Sequence, residues 1–136
     1  MNVPEAIKNI CAQVLPDWEF RFNDRQSMNV EADDILFPFV FFEEYREGNY
    51  RCKHFFDKTT KCELYFCKRL ATDEGDRREA LRDEIEVEAV VPFIKAFNDS
   101  GIFQKVVEWK FFAAPPRFDA AEVSIMLQFD AVTTSC

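Results

Sequence analysis

In the stretch "EVSIMLQFDAV", Val123, Ile125, Leu127 and Phe129 alternate with Ser124, Met126, Gln128 and Asp130. Successive side chains of a strand point to opposite faces, so a period of two held this long commits the segment to a half-buried β-strand. It is the cleanest alternation in the chain, and it predicts a central strand. A central strand needs a neighbour on each side and a layer over its apolar face, and the remaining sequence offers candidates for both.

The covering layer is legible as two helical segments. Near the start, Val3, Ile7, Ile10 and Val14 recur at helical spacing, with Asn2 placed to cap, Glu5 three residues on, Pro4 early and Pro16 as the stop. Later, Leu81, Ile85, Ala89 and Phe93 form one face, widened by Val90, Ile94 and Phe97. Asp76 and Glu79 have the spacing of a capping box, and Gly101 suits a left-handed cap at the exit. Run continuously from Asp76 to Asn98, this helix would measure about 34 Å, enough to cross a sheet. Pro92 lies inside it and predicts a kink there, or a break into two helices.

Neighbouring strands come from the same alternation. "WEFRF" sets Trp18, Phe20 and Phe22 against Glu19 and Arg21. "ILFPFVFFEEY" is dense in β-formers, and Pro38 within it predicts an edge strand or a bulge. Turns expected around Gly48-Asn49 and around Asp57–Thr60 would mark off two further strands, "YRCKHFF" and "KCELYFCKRL", making a meander. "FQKVVEWKFF" supplies a strand ahead of the last one, as its hairpin partner. The expected order is α-β-β-β-β-α-β-β. One domain spanning residues 1–136 is predicted, of class α+β: an antiparallel or mixed sheet of about six strands, a short N-terminal helix and one long helix on one face.

Charge and composition exclude whole classes of partner. The net charge is −8, whereas neutralising nucleic-acid phosphates or an anionic membrane surface needs a surplus of Lys and Arg. Eight of the carboxylates fall between Asp73 and Glu88 and read as the solvated face of the long helix. The start "MNVPEAIKNI" lacks a basic region followed by an apolar stretch, and no apolar run reaches the ~18–20 residues of a membrane span. The expectation is a protein that remains in the cytoplasm of the cell that makes it.

Candidate chemistry is thin. The chain has 5 Cys and 1 His. Cys52, His54, Cys62 and Cys67 raise the question of zinc, but strand alternation sends Cys62 and Cys67 to opposite faces, and their spacing is not that of a zinc knuckle. Cys52 and His54 share a strand face without a third residue to orient the base. "PD" at Pro16-Asp17 and "EWK" at Glu108–Lys110 spell the pieces of a metal-dependent nuclease pattern, some ninety residues apart. Asp33-Asp34 and Glu43-Glu44 are adjacent pairs that would point apart if extended. With 16 Phe and few interleaved polar anchors, the aromatics read as packing first and as a pocket for a small apolar ligand second. No catalytic residue, metal ligand or cofactor site is assigned.

The connection "FFAAPPRFDAAEV" is unusual for a loop. Pro115-Pro116 would stiffen it, and a stiff loop loses little entropy on docking. Pro116, Arg117, Phe118 and Asp119 are therefore the candidate oligomer contacts: Phe118 as an apolar anchor, Arg117 and Asp119 as the pair that fixes register. The alternative is that Phe118 folds back over the sheet edge.

In element order and size the chain resembles the tail-terminator and tail-completion proteins of long-tailed bacteriophages and prophages. The likeness is carried by the helix of "NVPEAIKNICAQVL", the meander ending in "CELYFCKR", the helix of "RREALRDEIEVEAVVPFIKAF" and the final strand "EVSIMLQFDAV". It implies a non-enzymatic part that assembles as a ring, typically hexameric, and joins tail to head. The implied partners are further copies of the chain and other tail or head-completion proteins. It also implies a life in the host cytoplasm followed by incorporation into a virion or phage-like particle. An acidic ring would let DNA pass without gripping its phosphates. A domain binding a small apolar ligand is the alternative function.

Overall fold

Every strand is registered, directly or through one neighbour, against two long ones. The structure is a computed structural model and describes residues 3–22, 38–52, 56–69, 77–103, 108–114 and 122–135. Helix α1 (Val3–Val14) leads into β1 (Glu19–Phe22), and β2 (Phe39–Cys52) and β3 (Phe56–Arg69) come next. Helix α2 runs through three contiguous segments, Arg78–Ile85, Glu86–Val90 and Val91–Asp99, ahead of β4 (Trp109–Ala114) and β5 (Glu122–Ser135). The described strands form a five-stranded sheet in the order β1-β2-β3-β5-β4. β1 is parallel to β2, and every other pairing is antiparallel. The fold is α+β with a mixed sheet, and β5 is central, as its alternation predicts.

Two expected turns are strand instead. Gly48-Asn49 lies inside β2 and Asp57–Thr60 inside β3, so the middle strand of the expected meander is shared between two long ones. The turn signal at Gly48 reflects a bulge. Pairing steps from Glu44↔Cys62 to Gly48↔Thr60, which sets residues 45–47 of β2 against Lys61 alone. Pro38 does not make β2 an edge strand either. It stands just before the first paired residue, Phe39, where its missing N–H costs no ladder bond, and its carbonyl accepts the Glu19 N–H at 3.1 Å.

Both helices cover one face of the sheet. Buried residues of α1 (Val3, Ala6, Ile7, Ile10, Cys11) and α2 (Leu81, Ile85, Ala89, Val90, Phe93, Phe97) close over Val40, Phe42, Leu64, Phe66, Ile125, Leu127 and Phe129. At its centre, the Phe93 ring lies within 5.9–6.3 Å of Phe66, Phe97, Trp109 and Phe129, at the tilted and edge-on angles that aromatic quadrupoles favour. Part of the opposite face is buried as well, through Phe39, Phe41, Tyr65, Cys67, Ala114 and Met126.

Pro92 neither breaks α2 nor ends it. A strict four-residue stripe drifts by about 40° per step around an α-helix of 3.6 residues per turn. Leu81, Ile85, Ala89, Phe93 and Phe97 keep that spacing and are all buried. The drift is relieved by one wide turn, Glu86–Val90, where the Val91 N–H reaches back to the Glu86 carbonyl. Pro92, which has no N–H to offer Glu88, comes directly after, so the ladder is irregular where the sequence removes a donor. The helix ends as expected, with Gly101 at φ 69° and the Ser100 hydroxyl donating to the Phe97 carbonyl at 2.8 Å.

The start of α2 differs from the expected capping box. Asp76 and Asn2 lie outside the described residues, and Arg77 at the N-cap makes no side-chain capping bond. The Glu79 carboxylate is paired with Arg82 one turn along. The described acidic residues do line the solvated side of α2. Lys68 of β3 gathers two of them, Glu88 at 2.7 Å and Glu84 at 3.5 Å, while lying 6.0 Å from the Trp18 ring centre. No described helix is long and apolar enough to cross a membrane.

A methyl group on Gly48 would overlap the backbone carbonyl oxygen of Thr59, so β2 can come this close to β3 only without a side chain at that position. Gly48→Ala is expected to lower stability by about 1–3 kcal/mol, read as an earlier urea midpoint with unchanged slope. An unchanged midpoint would contradict the close approach.

Candidate functional site

Two features on the described surface rise above ordinary solvation: a charged groove and an apolar edge. The groove is a consequence of strand parity. Cys62, Leu64 and Phe66 of β3 face the helices, so Lys61 and Glu63 face away; on β5, Gln128 and Asp130 do the same, as does Lys110 on β4. Register brings them into rows, Glu63 beside Gln128 beside Lys110, and Lys61 beside Asp130. Together with Glu108, Cys62 and Phe129 they enclose about 400 Å³. Glu63 is buried, and it faces Glu43 across the β2–β3 ladder, an unfavourable like-charge neighbour. Gln128 Nε2 donates to the Glu63 carboxylate at 3.2 Å and offsets part of that repulsion. The groove can hold polar groups through two ammoniums, three carboxylates and an amide. It does not match the apolar pocket that the Phe content offered as an alternative.

The apolar feature is β4, the outermost strand beyond β5 among the described residues. Trp109 packs on the core from the helix side, whereas Phe111 is 57% and Phe112 43% exposed on opposite faces of the strand. An edge strand carrying exposed aromatics is a template for pairing with another chain. At the other edge, Phe22 of β1 stacks on Phe42 with centroids 5.2 Å apart and remains 38% exposed. Tyr50 and Phe56, both exposed, form an aromatic pair 5.0 Å apart near the far end of the β2–β3 ladder.

The chemistry weighed from sequence is not assembled. Cys62 belongs to the helix-side core and Cys67 to the opposite cluster, so the two thiols lie on opposite sides of the sheet. Among the described residues no group of three or more His, Cys, Asp or Glu is placed to share a metal ion. Asp17 precedes β1 and Glu108 precedes β4, at opposite edges of the sheet, which keeps the nuclease-like pieces apart. Cys52 is exposed at the end of β2, while its suggested partner His54 lies outside the described residues. The same holds for Asp33-Asp34 and for the candidate contacts Pro116, Arg117, Phe118 and Asp119. Glu43 and Glu44 occupy successive rungs of the β2–β3 ladder, paired with Glu63 and Cys62 respectively.

The groove went unseen in the sequence because its residues come from three strands. The available signal was the polar half of each alternation, Lys61 and Glu63, then Gln128 and Asp130. No protein-family model and no curated protein matches the sequence.

Burial holds two thiols in the neutral form. That of Cys11 is pushed up from 9.0 to about 12. Cys67 is raised by burial first and by the Glu122 carboxylate second, against a hydrogen bond with Ser124 that acts the other way. A thiol reagent at pH 8 should modify Cys52 in the folded chain, and Cys11, Cys62 and Cys67 only as fast as the chain unfolds. Because the folded state keeps the Cys11 proton longer than the unfolded state, its contribution is complete below pH 9.0 and lost as pH rises toward about 12. Cys11→Ala should therefore show a shallower decline of the urea midpoint above pH 9; an equal decline would contradict the assignment.

Proposed function

We propose that this chain is a non-enzymatic assembly component, a ring-forming part similar in role to a phage or prophage tail terminator. The observation that carries the reading is β4, an outermost strand that leaves Phe111 57% and Phe112 43% exposed. Pairing with another chain would satisfy its outer backbone groups and cover both rings at once. The acidic balance, −8 over the chain, fits a part that surrounds or abuts DNA without binding phosphate. The partners are further copies of this chain and other tail or head-completion proteins, met in the host cytoplasm before incorporation into a particle.

The apolar-ligand alternative draws no support from the groove, whose lining is mainly charged. The reading is tested by light scattering over a concentration series. The wild-type chain should pass to a discrete multimer as concentration rises, and Phe111→Ser with Phe112→Ser should remain monomeric with an unchanged circular dichroism spectrum. A wild-type chain that stays monomeric at millimolar concentration would contradict it.

A further inference from the structure

The two outer strands are complementary in direction and in charge, and a heterologous contact between them uses both edges of every copy. The inference rests on the assembly reading above and specifies its interface. β1 and β4 are the two outer strands of the described sheet. β1 runs with β2, β2 against β3, β3 against β5 and β5 against β4, so β1 and β4 run in opposite directions. If a neighbouring copy extends the sheet with its helices on the same side, its β1 meets β4 antiparallel. Trp109 and Phe20 both pack on the helix-side core, and alternation places Lys110 and Glu19 on the other side. Registers that preserve these faces differ by two residues.

Charge selects among them. With Trp109 opposite Phe20 of the neighbour, Lys110 stands opposite its Glu19, Glu108 opposite its Arg21, and exposed Phe111 opposite its Trp18. A shift by two in one direction sets Lys110 against Asp17 but Glu108 against Glu19, so attraction is offset by repulsion. A shift in the other direction sets Lys110 against Arg21. Opposite charges across a ladder stabilise and like charges destabilise, so one register stands out. Within the chain, Arg21 holds one Glu19 oxygen at 2.6 Å, while the other oxygen, Oε2, is buried without a hydrogen-bond partner.

We propose that copies of this chain associate edge to edge, β4 of one against β1 of the next, with Lys110 facing Glu19 and Trp109 facing Phe20. The contact is heterologous: each copy offers a different edge to either side, which generates a ring where the rotation closes. A β4–β4 pairing with Trp109 opposite Trp109 also sets Lys110 against Glu108, but it leaves β1 and exposed Phe22 uncovered and stops at a dimer. A β1–β1 pairing sets Glu19 against Arg21 but leaves Phe111 and Phe112 uncovered, and it stops at a dimer.

The test uses charge reversal in the full chain. Lys110→Glu alone and Glu19→Lys alone should each raise the concentration needed for assembly by about tenfold, with melting temperatures close to wild type. Mixed in equal amounts, the two variants should co-assemble at the wild-type concentration, because each reversed edge then meets its complement on the other variant. Should Glu19→Lys fail to fold, Glu108→Arg mixed with Arg21→Glu reads the second pair. If wild type assembles but the folded single variants do so equally well, or their mixture is not restored, the interface is overturned while the assembly reading stands. Wild-type association that stops at a dimer also overturns it. A wild-type chain that never associates overturns the interface and the assembly reading together.

Discussion

The pairing of β3 with β5 is the constraint on which the rest of the molecule depends. The two strands are in register over all 14 residues of β3, from Phe56↔Ser135 to Arg69↔Glu122. Each then carries one further neighbour, β2 on one side and β4 on the other. A slip of β5 by one residue against β3 would exchange its faces, sending Ile125, Leu127 and Phe129 away from the helices. It would also bring Gln128 and Asp130 into the aromatic core, where an unpaired polar or charged group is costly. Register here is thus fixed by chemistry on both sides of the sheet, and the charged groove is part of what fixes it.

The helix layer answers to the same sheet. α2 must keep a four-residue stripe over strands that do not wind with it, and the wide turn at Glu86–Val90 makes that possible. Phe93 and Phe97 then reach Trp109 of β4 and Phe129 of β5, so the helix fastens the outermost strand to the centre. Each fully buried Phe is worth roughly 1.5–3 kcal/mol in area removed from water. That concentration of rings on one face leaves β4 held firmly by Trp109 and free to present Phe111 outward.

What could be read in the sequence was local. The period of two in β5, the stripes of α1 and α2 and the left-handed exit at Gly101 depend on residues within a few positions of each other. The division of β2 and β3 was not legible, because Gly48 signals a turn and a bulge alike, and only the nearness of the Thr59 carbonyl distinguishes them. Pro38 suggested an edge strand or a bulge; β2 is interior but does carry a bulge, at residues 45–47, and whether a proline costs a ladder bond depends on where pairing begins. The parallel β1–β2 contact and the groove between β3, β5 and β4 join residues far apart in the chain. Of the proposed contacts, the proline-loop residues Pro116 to Asp119 lie outside the described residues, and the edge pairing instead involves Lys110, Trp109, Glu19 and Phe20, whose relation appears only once both edges of the sheet are known.

If the sheet is complete at its centre and open at its edges, backbone protection should distinguish the two. Amide hydrogen exchange, measured at low and at high protein concentration, reads this directly. At low concentration β3 and β5 should be the most protected strands, with the outward amides of β1 and β4 exchanging fast; at high concentration protection should rise in β1 and β4 together. Protection that rises in only one of them, or appears at the groove or at Tyr50 and Phe56 instead, would contradict an assembly built by joining sheet edges.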